Sequence, residues 1–154
     1  MVTRRGLLAA SALAVLAGCA EDEEAEPASP SSALLGSLAA ERALSAATSS
    51  GRPVVRDVSA RARERAGRLA AAVSAVGGRP HDAPEPASGD TSPGEIVARG
   101  RGALAAHVAA LPSLEGRELR TLAADMVAGA AADAAVLADT FDLAAADAFP
   151  GTPQ

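Results

Sequence analysis

An all-α fold of four helices is predicted for this chain on three observations. Apolar residues recur with a helical period in four separate stretches. Proline and glycine punctuate every boundary between them. Two of the three connections are short and the middle one is long, which describes two helical hairpins joined into an up-and-down four-helix bundle with one long connection between helices 2 and 3.

The stretches are placed at residues 32–49, 54–76, 93–111 and 115–141. The first ends at Ser49-Ser50-Gly51-Arg52-Pro53, the second at Gly77-Gly78-Arg79-Pro80 and the third at Pro112-Ser113. Residues 77–92 form the long connection, rich in Pro, Gly, Asp and Ser. At 3.6 residues per turn each stretch has an apolar side. Leu34, Leu38 and Leu44 make that side in the first, and Glu41 falls inside their arc. Val58, Ala62, Leu69, Val73 and Val76 make it in the second, with Arg65 among them and Glu64 well outside. The third offers Ile96, Gly100, Ala103, Leu104 and Leu111, together with His107. The fourth offers Leu119, Leu122, Met126, Ala130 and Leu137, together with Asp133. Each helix therefore aims one ionisable side chain at the interior.

Composition limits what such a core can be. Of 154 residues 49% are hydrophobic, but there is no Trp or Tyr and only two Phe. Leu, Val and much Ala must fill the interior, so helices can approach closely while little apolar area is buried per residue. The net charge is −5, and all fourteen basic residues are arginine. An acidic chain makes a nucleic-acid partner an unlikely reading. No glycine-rich phosphate loop, no nucleophile with a base and no metal-spaced Cys/His cluster is present in the sequence, so no enzyme activity is expected.

The N-terminus is read as a lipoprotein signal. Arg4 and Arg5 precede an apolar run, which ends in Leu16-Ala17-Gly18-Cys19, and Cys19 is the only cysteine. About eleven apolar residues at ~1.5 Å each fall short of a ~30 Å hydrocarbon core, so a spanning helix is not expected. A thioether to a diacylglycerol would form on the Cys19 sulfur, a peptidase would cut between Gly18 and Cys19, and palmitate-type acyl chains at ~0.8 kcal/mol per buried methylene would hold the chain on a membrane. Thr3-Arg4-Arg5-Gly6-Leu7-Leu8 is also similar to a twin-arginine export signal. Residues 19–31, with five acids and two prolines, are expected to form a disordered acidic tether, residues 32–142 the helical domain and residues 143–154 a disordered tail. The expected location is the cell envelope, on the extracytoplasmic side of a bacterial cell membrane. Beyond that anchor the sequence names no protein partner; a homodimer through an Ala-rich face is compatible with it.

Three segments, LLGSLAAERALSAA (34–47), RERAGRLAAAVSAVGGRP (63–80) and LRTLAADMVAGAAADAAVL (119–137), resemble the ferritin-like domains of small exported bacterial proteins. The resemblance implies a bundle that carries a di-iron site, with a glutamate on each of two helices and Glu-x-x-His on each of the others. Glu41 matches the first-helix glutamate. Ala62 and Arg65 occupy the Glu-x-x-His positions of the second helix, Gly100 and Ala103 the turn expected to carry the third-helix glutamate, and Ala130 and Asp133 the fourth-helix pair. The resemblance thus implies the scaffold with degenerate ligands and no cofactor.

Two readings remain. In the first, Glu41, Arg65, His107 and Asp133 form an internal polar cluster in a non-catalytic module, because a buried carboxylate needs a partner and the guanidinium supplies five donors in a planar fork. In the second, Glu41, His107 and Asp133 hold a single Fe, Mn or Zn ion. His81 in the long connection is expected to be solvated, Met126 to fill the core, and Arg61, Arg63 and Arg68 to form a wet helix face around Glu64.

Overall fold

The computed structural model describes residues 28–86 and 91–143. The signal segment, Gly18 and Cys19, most of the tether and the tail from residue 144 lie outside the described residues. Among the described residues there are four α-helices: α1 (Pro30–Ala47), α2 (Pro53–Ala75), α3 (Pro93–Ala110) and α4 (Arg117–Thr140). Single turns of 3-10 helix lie at Pro80–Asp82 and Leu111–Ser113. Among the described residues there is no strand, so the all-α expectation holds.

Local chemistry sets the helix ends. Pro30, Pro53 and Pro93 each begin a helix, where the missing N–H costs nothing and the fixed φ is already helical. Ser29 caps α1 by accepting from the Ser32 amide at 3.2 Å. Ser92 and Glu95 form a reciprocal capping box at the start of α3. At the end of α2, Gly77 takes a φ of +80°, and the Gly78 amide donates to the Val73 carbonyl at 2.9 Å, a Schellman closure. Asp142, with a φ of +54°, closes α4 the same way as the Leu143 amide donates to the Ala138 carbonyl at 2.8 Å.

These caps correct three expected boundaries. Residues 29–31 belong to α1 and its cap, so the tether ends earlier than residue 31. The fourth helix starts at Arg117, because Gly116 is its N-cap with a φ of +84°. Leu111, expected inside, is 39% exposed because the chain tightens into a 3-10 turn there and rotates it off the apolar face.

The core lies in two layers. Leu34, Leu38, Leu69, Val73, Ala110 and Met126 share one, which joins the start of α1 and α4 to the end of α2 and α3. Leu44, Val55, Val58, Ile96, Val97 and Leu137 share the other, at the opposite ends of the same helices. Hence α1 and α4 run one way, and α2 and α3 run the other. The strictly alternating up-and-down order is corrected to up-down-down-up, since α2 ends beside the start of α1 while α3 begins beside the end of α1. The crossover from α2 to α3 follows α1: Ala83 is buried, and Arg42 on α1 donates to its carbonyl at 3.4 Å.

The main packed pairs are α1 with α2, α3 with α4, and α1 with α3, while α2 meets α4 more sparsely. Small residues permit the close pairs. A Cβ at Gly100 would lie 3.0 Å from Leu137 Cδ1, so α3 and α4 approach closely where a side chain would press on Leu137. Long side chains span the sparser α2–α4 side: Arg61 and Arg65 reach Asp133, and Arg68 reaches Asp125 at 3.0 Å. By length and apolar composition α4 could cross a membrane. Here it packs on α2 and α3 and carries the buried Asp133.

Candidate functional site

Between the two apolar layers lies a polar one. Glu41, Arg65, His107 and Asp133 come from α1, α2, α3 and α4, and each is at least nine-tenths buried. Their placement follows from register. Each occupies a position on its helix's inward stripe between apolar residues of one core layer and those of the other, so packing the stripes together forces the four side chains into one level.

The Arg65 guanidinium holds the centre. Its Nε donates to Glu41 Oε1 at 2.7 Å and its Nη2 to Glu41 Oε2 at 3.0 Å, a bidentate fork. The same Nη2 is 2.7 Å from Asp133 Oδ2, an ion pair by charge and distance. That contact is too bent for a directed hydrogen bond, and Oδ2 has no donor aimed at it. Glu41 Oε1 also meets His107 Nε2 at 2.7 Å. A carboxylate only accepts, so with Glu41 paired to Arg65 the Nε2 of His107 is the nitrogen that carries hydrogen.

Burial alone would lower the Arg65 pKa. Hydrogen bonding and charge attraction from Glu41, followed by the negative charge of Asp133, outweigh it and hold the guanidinium above its ordinary value. Arg65 therefore stays charged at any working pH.

Two contributors were not foreseen. Arg61, one turn before Arg65, donates from Nε to Asp133 Oδ1 at 2.8 Å and places Nη2 2.6 Å from the same oxygen. With it the cluster counts two carboxylates against two guanidinium groups, so its formal charge is zero when His107 is neutral. Its side chain is 47% exposed, which gives the otherwise buried cluster a route to solvent. The (i, i+4) relation to Arg65 was visible in the sequence; the reach to α4 depends on helix rotation and was not. Gly129 is the other. A Cβ there would lie 3.2 Å from Arg65 Nη1 and 3.4 Å from its Cδ, so the missing side chain is the space the guanidinium occupies.

Arg61, Arg63, Glu64 and Arg68 are all exposed, as expected of a wet helix face, and only the expected pairing with Glu64 is corrected. Arg61 turns to Asp133, Arg68 to Asp125, and Arg63 donates to the Ser45 and Ser59 hydroxyls at 3.2 and 3.1 Å. Each finds a partner on another helix or a hydroxyl beside it in place of Glu64. His81 is 75% exposed, 3.2 Å from Asp82. Met126 is buried in the first core layer.

The single-metal arrangement of Glu41, His107 and Asp133 is also corrected. Among the described residues no group of three His, Cys, Asp or Glu side chains is placed to hold a metal ion. The physical reason is Arg65: it takes both oxygens of Glu41 and lies between the two acids, where a dication would meet a fixed positive charge. The arrangement can store polar free energy and define helix register. No family model, curated protein or solved structure matches this chain.

Proposed function

We propose that this chain is a lipoprotein, anchored through Cys19 to the extracytoplasmic side of a bacterial cell membrane. In this reading it carries a ferritin-like four-helix bundle with an ion-pair cluster in place of a metal site, and its role is binding or structural. The observation that carries the reading is the bidentate Arg65–Glu41 pair, at 2.7 and 3.0 Å, in the layer where the family holds iron. A single long crossover between the second and third helices, with up-down-down-up order, is in keeping with ferritin-like topology. The anchor rests on the sequence of residues 4–19 alone.

Two measurements test it. Tag-free protein from cells supplied with iron, manganese and zinc is expected to contain far less than one metal per chain by elemental analysis; stoichiometric metal that disappears in Glu41→Ala contradicts the reading. Mass spectrometry of the membrane fraction is expected to find acyl groups on Cys19, and Cys19→Ser to prevent them. A wild-type chain with an unmodified Cys19 contradicts the anchor.

A further inference from the structure

A groove of about 360 Å³ runs between α1 and α2, away from the interior cluster. Arg42 and Ser45 on α1 and Arg63 on α2 line it, with Ser49 just past the end of α1 and Glu85 on the crossover. Arg63 is held in place from one side: Nε donates to Ser45 Oγ and Nη2 to Ser59 Oγ, both on largely buried serines. Ser45 and Ser59 are themselves linked, since the Ser59 hydroxyl donates to the Ser45 carbonyl at 2.8 Å. Two small hydroxyls thus spend their bonds fixing one guanidinium, and its Nη1 makes no hydrogen bond among the described residues.

Arg42 is engaged loosely. Its Nη1 reaches the Ala83 carbonyl at 3.4 Å and lies 3.6 Å from Glu85, whose side chain is 82% exposed. An exposed pair at that separation is weak and readily exchanged for a better acceptor. Among the described residues lining the groove Glu85 is the only acid, against two arginines, so this lining carries a net positive charge in an acidic protein. The Glu85 carboxylate already neighbours one of the two guanidinium groups, that of Arg42, at 3.6 Å.

We propose that this groove binds a small free oxyanion, phosphate or a phosphomonoester, between Arg42 and Arg63, with Glu85 as the displaceable internal competitor. Two guanidinium groups present planar forks to tetrahedral oxygens, and the groove admits a ligand of a few heavy atoms. Phosphate on a lipid headgroup has the same chemistry. Position favours the free anion: Ser45 is fifteen residues along α1 from Pro30, roughly 22 Å from the end where the tether joins.

The test is calorimetric titration of the full-length chain, carrying Cys19→Ser to remove acylation, with inorganic phosphate at low ionic strength. Binding with a Kd on the order of 1 mM or tighter is expected. Arg42→Gln and Arg63→Gln should each weaken it about tenfold. Glu85→Gln should tighten it roughly two- to threefold by removing the competitor, an effect that a purely structural role for Glu85 would not produce. Circular dichroism confirms folding of each variant. No binding at 10 mM phosphate, or equal binding by the wild type and both arginine variants, overturns the proposal. In a second arm, vesicles containing phosphatidylglycerol are mixed with the same chain and with the Arg42→Gln/Arg63→Gln double variant. Equal vesicle binding by the two supports the free-anion site, and a loss confined to the double variant without any phosphate heat overturns it in favour of a headgroup.

Discussion

Arg65 grips Glu41 across the α1–α2 contact by two parallel N–H···O bonds of 2.7 and 3.0 Å, with both side chains almost wholly removed from solvent. Neither group could be buried alone at tolerable cost, and each is the other's main compensation. Asp133 leans on the same guanidinium and on Arg61, while His107 completes the bonding of Glu41. The Ala-rich core gains little per residue from apolar burial, so this polar layer weighs heavily in which helix register is stable.

Removing the central charge should therefore cost more than removing the whole set. Arg65→Ala strands the buried Glu41 carboxylate and takes from Asp133 one of its two cations, and is expected to lose about 3–5 kcal/mol in urea unfolding. Replacing the three charges together by Glu41→Gln, Arg65→Met and Asp133→Asn leaves acceptors for His107 and Arg61, and should stay within about 1.5 kcal/mol of wild type. A triple variant weaker than Arg65→Ala would refute this.

Gly129 and Gly67 make a matched pair, both inside helices. A Cβ at Gly67 meets nothing within 4 Å, so Gly67→Ala should stabilise by up to about 1 kcal/mol through helix propensity. A Cβ at Gly129 presses on Arg65 at 3.2 Å, and Arg65 is held by Glu41 and cannot yield freely. Gly129→Ala should be destabilising in spite of the same propensity gain, by about 1 kcal/mol net. Thermal melts of the two variants compare the signs directly.

Arg61 is the exposed member of the cluster, so its contribution should be screened. Arg61→Ala is expected to lose about 1 kcal/mol, and the difference from wild type should shrink between about 0.05 and about 0.5 M salt, over which the Debye length falls from roughly 14 to roughly 4 Å. A loss equal to that of Arg65→Ala would place Arg61 at the centre instead.

The pH dependence has a stated sign for two groups. The Arg65 pKa is raised, so its contribution is complete below its unfolded value and fades only as pH rises through a still higher folded one, beyond practical conditions. Glu95 is lowered, chiefly because the Ser92 amide and then the Ser92 hydroxyl donate to its carboxylate. Its contribution is present above the unfolded pKa and lost as pH falls through the folded one. The stability gap between wild type and Glu95→Gln should accordingly narrow on acidification below the ordinary glutamate range, as read from melting temperature at each pH.

The helices were largely legible in the sequence because apolar spacing and Pro or Gly punctuation are local signals. Leu34, Leu38, Leu44 and Glu41 all fall on the buried face of α1, as periodicity alone requires. The four interior ionisable residues were legible for the same reason: each interrupts an apolar stripe. Errors arose where capping decides, at Ser29-Pro30 and Gly116, and where the helix tightens, at Leu111. Partners of residues at the edge of a stripe were not legible. Whether Arg61 serves Glu64 on its own helix or Asp133 on α4 depends on how far α2 is turned toward α4, and the same relation decides that Gly129 opposes Arg65. The direction of α3 likewise follows from the crossover packing on α1, through Arg42 and Ala83, which no periodicity encodes.

A double-mutant cycle on Glu41→Gln and Arg65→Ala, read by urea unfolding of the two single variants, the double variant and wild type, bears most directly on an interior held by ion pairs. The expected coupling is about 2 kcal/mol or more, with the double variant far less damaged than the sum of the singles. A coupling under about 0.5 kcal/mol would mean that these two groups contribute independently, and the ion-paired interior would be contradicted.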